Sequence, residues 1–303
     1  MAFNLKKIVR MVVLITTGVM FMTSLVFAAS TDVNNNVLLE ATGQLGRVVW
    51  DQGTIEAIGT GLPPSNMGLT QGRLLARRAA IVDAYRNLAE VIQGVQVDSE
   101  TIMSNLTISS DLVRTRVSGL IRGARVIREQ NMPDGSYQVV MSIPLYGQDS
   151  LADVAFNAIK PEKIQEFPAP IFNRSVNNPT HHRDTNISQY TGVIVDARGL
   201  GLESTFSPRI YDETGRIVYG NLYIDTNFAI SQGMVDYTLT PDMVQAAESG
   251  QSRAGAYPLV VKAIRVTDAN NCNIVISNGD ANTMLAANRI TGFLKRCAVV
   301  FER

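Results

Sequence analysis

The chain has 303 residues, with 27 basic and 27 acidic side chains, two histidines and two cysteines. This length allows two domains, and 46% hydrophobic residues is ordinary for a globular chain, so we expect each half to bury a core. No arginine-rich run or basic stripe occurs, so the sequence lacks the electrostatic footprint of a nucleic-acid-binding protein.

The N-terminus predicts a secretion signal. The basic residues Lys6, Lys7 and Arg10 precede an apolar stretch that ends at Phe27, and small residues then suit cleavage after Ala28. We therefore predict a signal peptide at 1–28 and export to the periplasm or cell envelope. An uncleaved signal anchor is the alternative, because the uncharged stretch could just span a bilayer.

Cleavage would change the charge and limit the ways in which the chain could attach to a membrane. It would leave 24 basic against 27 acidic residues, a net charge of about −3. Ala29 would follow the cleavage site, where a lipidated protein needs a cysteine. Membrane attachment is therefore expected only through protein contacts or the uncleaved anchor.

An Asn-rich leader, 29–46, precedes a first predicted domain at 47–148. Its clearest element is a helix from about Thr70 to Gln93, in which apolar residues recur with helical spacing and alanines allow close approach to a sheet. The apolar residues of the predicted buried face are Leu74, Leu75, Ile81, Val82, Tyr85, Leu88, Val91 and Ile92.

The remaining elements of this domain follow in chain order. A strand is predicted at 95–101, a second helix at 111–121, and strands at 125–129 and 137–143 on either side of the Pro-Asp-Gly-Ser turn at 133–136. With the strand before the long helix, the order is β-α-β-α-β-β. This order predicts an α+β domain with one long amphipathic helix on an antiparallel-rich sheet.

A helix and a Pro/Asn-rich linker, 149–189, separate this domain from a second α+β domain at 190–303. Alternating and β-branched segments predict its strands, and Asn278-Gly279-Asp280 leads into a helix that ends near Asn288. The predicted strands cover 192–197, 206–211, 216–219, 258–266, 273–277 and 298–301.

Residues capable of catalysis are sparse, and we predict no catalytic, cofactor-binding or metal site. His181, His182 and Asp184 could contact a metal, but no third or fourth ligand is spaced nearby, so solvated loop residues are favoured. An enzyme that uses paired carboxylates stays open as a minor alternative. Its acidic residues would be Asp196, Asp212, Glu213 and Asp225.

The two cysteines, Cys272 and Cys297, both lie in the second predicted domain. In an oxidising compartment, an isolated pair in one small domain suggests a disulfide. Two buried free thiols are an equal alternative, because sequence does not give the separation of the two Cα atoms.

The solvent side of the long helix carries Arg73, Arg77, Arg78 and Arg86, a candidate interaction face for an anionic partner. A simply solvated face is the alternative. In the second domain, tyrosines could stack on the sugars of a cell-wall glycan, or they could be core residues. These tyrosines are Tyr211, Tyr219, Tyr223, Tyr237 and Tyr257.

The segment 76–101, ARRAAIVDAYRNLAEVIQGVQVDSET, begins a pattern that resembles the bacterial lipoprotein-20 family over about residues 50–147. That family is related to the N-terminal domain of flagellar assembly protein T and to the outer-membrane flagellar lipoprotein P. The pattern continues with Gly119, Gly123, Ala124, Asp134, Gly135 and the run Pro144-Leu145-Tyr146-Gly147.

The resemblance implies a non-enzymatic α+β envelope module of the kind found in rings around the flagellar basal body or at the outer membrane. It implies no catalytic residues, and the missing lipobox cysteine departs from the family. We therefore expect a structural or assembly role with envelope proteins or further copies of the chain as partners, in a homo-oligomer or ring. A module that binds cell-wall glycan or another envelope ligand is the alternative.

Overall fold

The computed structural model describes residues 45–171 and 187–303. The predicted signal peptide, nearly all of the leader and both histidines lie outside them. Gly46–Arg303 form one compact unit of mixed helices and strands, so the α+β class predicted from the sequence is confirmed. In the part of the chain that is described, no helix combines the length and hydropathy needed to cross a bilayer.

The first half is an antiparallel sheet with one long helix on one face. The strands lie in the order β1-β2-β4-β3. They are β1 (Gly46–Val49), β2 (Thr54–Gly61), β3 (Arg125–Asn131) and β4 (Tyr137–Pro144). Its helices are α1 (Leu69–Gly94), α2 (Met103–Ser109) and α3 (Asp111–Arg122).

Small residues set the distance between α1 and the sheet. Ala76, Ala80 and Ala84 are buried at successive i+4 positions of the helix. A Cβ atom on Gly59 or Gly61 of β2 would collide with the α1 backbone. The chain needs glycine there because no side chain fits between strand and helix.

The buried face of α1 therefore differs in part from the predicted one. Leu74 and Val82 are 58% and 69% exposed, while Leu88 and Ile92 are buried as predicted. Residues four positions apart shift gradually around a long helix. The stripe of small residues therefore follows the twist of the sheet and stays in contact with its strands along the length of α1. Counting large apolar residues therefore predicted the wrong side for the N-terminal half of α1.

The strand predicted at 95–101 is also wrong. Only an isolated bridge joins Gln96 to Ile102. The carbonyl oxygens of Gln96 and Val97 instead accept hydrogen bonds from the amides of Phe206 and Ser207, at 3.3 and 2.8 Å. This segment thus pairs with the distant second half of the chain, which local β propensity does not reveal.

The second half is built on a seven-stranded mixed sheet in the order β7-β6-β10-β9-β5-β11-β8, in which β9, β5, β11 and the edge strand β8 are parallel. The strands are β5 (Gly192–Asp196), β6 (Ile210–Tyr211), β7 (Ile217–Tyr219), β8 (Asp236–Thr238), β9 (Pro258–Thr267), β10 (Asn273–Ile276) and β11 (Val299–Glu302). The helices are α4 (Leu151–Ile159), α5 (Thr226–Gln232), α6 (Pro241–Glu248) and α7 (Asn278–Thr291).

An aromatic junction joins the two halves. The ring of Phe206 lies 5.4 Å from Trp50, 6.1 Å from Tyr146 and 5.9 Å from Phe156, all in edge-to-face geometry. Tyr237 extends the junction, 5.7 Å from Trp50. The predicted boundaries at 47–148 and 190–303 stay a prediction, but across them the buried residues form one continuous hydrophobic core.

Candidate functional site

A groove of about 840 Å³ opens on the first half, between α3, the end of β4 and the start of α4. Glycines and polar side chains make up much of its wall, with Leu120, Ile127 and Ile143 as the larger apolar contributions. Its volume falls in the range typical of small-molecule sites. Sequence analysis did not predict this groove, because its lining comes from five separate segments.

The groove carries two pairs of opposite charges. Arg116 projects from α3 and Arg125 begins β3, whereas Asp149 precedes α4 and Asp153 lies in its first turn. None of the four forms an ion pair with any described residue. The groove is therefore a polar site with both signs of charge left uncompensated.

A second candidate surface is the outer face of α1. We define it by the residues that recur every three or four positions on the side away from β2: Leu74, Arg78, Ile81, Val82, Tyr85 and Arg86. Ile81 and Tyr85 are half-buried at its margin, whereas Leu74 and Val82 are well exposed. This face combines apolar side chains with arginines.

The four arginines predicted as an interaction face do not act alike. Arg77 donates to Glu129 of β3 at 2.7 Å, and this hydrogen bond raises the pKa of the guanidinium, so Arg77 ties the helix to the sheet. Arg73, Arg78 and Arg86 are exposed and form no ion pair with a described residue. Three of the four arginines are thus available to a partner.

A charged cluster, which we call the Arg198 cluster, lies where β5 and β11 end: Asp196, Arg198, Glu248 and Glu302. The Arg198 guanidinium donates to both oxygens of Asp196, at 2.8 and 2.9 Å, and lies 3.6 Å from Glu302. Glu302 is fully buried, and neither of its carboxylate oxygens accepts a hydrogen bond. Sequence analysis did not predict this cluster, because β5 and β11 are about a hundred residues apart in the chain.

The environments of the two strand carboxyls shift their pKa values in opposite directions. Hydrogen bonds from Arg198 lower the pKa of Asp196, whereas burial raises the pKa of Glu302. No group of three or more His, Cys, Asp or Glu among the described residues is placed to hold a metal ion.

The other acidic residues considered for catalysis have local structural roles. Asp212 accepts from Thr214 and Arg216 in the β6–β7 turn, with Arg216 Nε at 2.8 Å. Glu213 accepts from the Asn278 amide at 2.9 Å, and Asp225 caps α5. The structure does not bring them together with Asp196 as a single carboxylate site.

The tyrosines divide between core and surface. Tyr219 and Tyr237 are buried, and their hydroxyls donate to the carbonyls of Met234 at 2.6 Å and Thr205 at 3.0 Å. Tyr257 is 65% exposed. Stacking on a glycan is therefore closed to the two core tyrosines and open to Tyr257.

Both cysteines are buried free thiols, so the disulfide considered for Cys272 and Cys297 is not present in the structure. Burial raises the pKa of Cys272 to about 12 and that of Cys297 to about 11. Thiols with raised pKa values react slowly, because the thiolate is the nucleophile.

Two family models match the chain. Residues 62–143 match that of the LPP20 lipoprotein, and residues 192–301 match that of the second domain of Treponema pallidum Tp0624. The resemblance to the lipoprotein-20 family that the sequence predicted is thereby confirmed for the segment from α1 to β4. A search of curated proteins found no significant match.

Proposed function

We propose that this chain is an exported, non-enzymatic protein of the cell envelope that has a structural or assembly role and acts through protein–protein contacts. The outer face of α1 is the observation that carries the proposal. A basic and apolar N-terminus and the match to a lipoprotein family support the envelope location. The flagellar basal body and the outer membrane are the envelope structures that the resemblance favours.

The composition of the outer face suits a protein interface. Leu74 and Val82 expose apolar area that a partner would remove from water, and Arg78 and Arg86 beside them lack ion-pair partners among the described residues. Arginine is enriched at protein interfaces, whereas Lys, Glu and Asp are depleted. The helix is rigidly held by its close contact with β2, so the face is pre-organised for binding.

The test is association of the mature chain after a double substitution on this face. Leu74→Glu with Val82→Glu places two charges where apolar contact is expected, and should remove oligomers in light scattering or cross-links to envelope proteins. Ile108→Glu with Leu112→Glu is the matched control, because these residues are 76% and 65% exposed on α2 and α3. The control should retain the wild-type pattern.

Two outcomes would contradict the proposal. One is a wild-type chain that stays strictly monomeric at high concentration and gains no cross-linked partner in envelope fractions. The other is equal loss of association in the α1 variant and the control, since the contact would then not depend on the outer face.

The alternative proposal is binding of cell-wall glycan through exposed aromatic residues. Tyr257, which is 65% exposed directly before β9, is the tyrosine best placed for it. Retention of the chain on purified sacculi, lost in Tyr257→Ala, would favour this alternative. No retention would remove it.

A further inference from the structure

The groove beside α3 has charged walls that the proposed function does not use. Arg116 and Arg125 lie on the side of α3 and β3, and Asp149 and Asp153 on the side of α4. Arg116, Arg125 and Asp149 are exposed, Asp153 is half-buried, and none of the four forms an ion pair with a described residue. A ligand that carries both signs can place its anionic group at the arginines and its cationic group at the aspartates.

The acidic wall is held in place by its own hydrogen bonds. Asn157 Nδ2 donates to Asp153 Oδ1 at 2.7 Å, and Ser150 Oγ accepts from the Asp153 amide at 3.2 Å. Ser150 also donates to the Gly147 carbonyl at 2.6 Å, which fixes the turn that carries Asp149. The carboxylate of Asp153 and the backbone at Asp149 are therefore positioned before any ligand arrives.

The part of the groove between the charged walls suits a main chain. Gly119 has open space where a Cβ would project, so a backbone can approach α3 closely there. A bulge in β3 leaves Ile127 without a partner in the β3–β4 ladder, and Ile127 lines the groove. Bulges and strand edges provide backbone groups to which extended peptides bind.

We propose that this groove binds a short zwitterionic peptide, with its carboxylate at Arg116 and Arg125 and its ammonium group at Asp149 and Asp153. The volume of about 840 Å³ accommodates a ligand of a few residues. The inference goes beyond the proposed function and does not depend on it, since the outer face of α1 contributes no residue to the groove.

Titration of the full mature chain with trialanine, followed by calorimetry at low salt, tests the inference. Trialanine with free termini should bind, and N-acetylation or C-amidation should each weaken binding roughly tenfold, because each removes one charge. Trialanine capped at both ends should not bind measurably. Equal binding of the free and doubly capped peptides would overturn the proposal, as would the absence of binding at millimolar concentration.

Double-mutant cycles that combine protein variants with capped peptides test which wall of the groove binds each terminus of the peptide. Arg116→Gln with Arg125→Gln should weaken binding of free trialanine and abolish the effect of C-amidation. Asp149→Asn should reduce the effect of N-acetylation, and it leaves in place Asp153, whose carboxylate accepts a hydrogen bond from Asn157. Arg122→Gln is the control on α3 outside the groove, and it should bind as the wild type does.

The remaining results also decide the proposal. Weakening by Arg122→Gln as large as that by the groove variants would reduce the effect to general electrostatics and overturn the site. Vesicles of phosphatidylethanolamine offer a phosphate and an ammonium group on a lipid. Binding to those vesicles without binding to trialanine would overturn the peptide as ligand. Circular dichroism of each variant confirms that the fold is intact.

Discussion

The contact between α1 and β2 is built from the smallest residues, whereas the aromatic junction between the two halves is built from large rings. Gly59 and Gly61 let the helix backbone touch the strand, whereas Phe206 fills its contact with a ring among Trp50, Tyr146 and Phe156. The first contact fails when atoms are added and the second when atoms are removed. Whether a larger or a smaller side chain destabilises the protein thus depends on which of the two contacts is substituted.

Removing the central ring of the junction should have the largest effect. Phe206→Ala should lower the free energy of unfolding by about 4 kcal/mol, because it leaves a cavity among rings that cannot collapse fully. Urea denaturation measures the change. Phe228→Ala, at a side chain that is 43% exposed, is the control and should cost less than about 1 kcal/mol. A similar loss in both variants would show that the junction is not specially packed.

Adding a single methyl group to the other contact should have the next largest effect. Gly59→Ala should destabilise the protein by about 2–3 kcal/mol, because the new Cβ collides with α1 backbone atoms that cannot move individually. Gly119→Ala is the matched control in the interior of α3, where the Cβ meets open space. It should instead stabilise the protein by about 0.5–1 kcal/mol through helix propensity. Destabilisation of both variants would contradict this account.

Strand β11 takes part in an apolar and in a charged contact. The Phe301 ring lies against Tyr237 of the aromatic junction, and the next residue, Glu302, belongs to the Arg198 cluster. Folding raises the pKa of Glu302, so the native state holds that proton more tightly, and this group costs stability as pH rises through its folded-state pKa. The pKa of Asp196 is lowered, so Asp196 adds stability above its unfolded pKa of about 3.9, which is lost as pH falls.

Glu302→Gln should therefore raise the free energy of unfolding near pH 7 by about 1 kcal/mol, since it removes a buried carboxylate whose oxygens accept no hydrogen bond. The gain should vanish near pH 4, where wild-type Glu302 is protonated. Asp196→Asn is the opposite control, and it should destabilise the protein near pH 7. Urea midpoints at both pH values measure the effects. A Glu302→Gln variant less stable than the wild type near pH 7 would refute this assignment.

The smallest expected effect is local opening of the aromatic junction, which can be followed through the reactivity of the two cysteine thiols. Cys272 lies with Trp50 along a cavity of about 320 Å³ where the halves meet, whereas Cys297 is packed near Tyr219. We expect two thiols per chain under denaturing conditions, and in the native protein Cys272 should react with a maleimide before Cys297. A count of zero thiols would instead establish a disulfide that the structure lacks.

Local sequence patterns were sufficient to predict the elements that depend on interactions between neighbouring residues. The helix predicted from Thr70 to Gln93 runs from Leu69 to Gly94, and the turn at 133–136 joins β3 to β4. Alternating or β-branched segments located β5, β9 and β10. These features follow from periodicity and turn chemistry, which are contained within a few neighbouring residues.

By itself, the sequence determined the α+β class, the long helix, the family resemblance over the first half and the scarcity of chemically reactive side chains. Only the tertiary structure decided which side of α1 is buried, that 96–97 pairs with 206–207, and that Glu302 lies buried beside Asp196. The physical reason is distance along the chain. The contacts of 96–97 and of Glu302 join residues about a hundred positions apart, and that of α1 joins it to a separate strand. Local propensity carries no information about which distant segment supplies the partner.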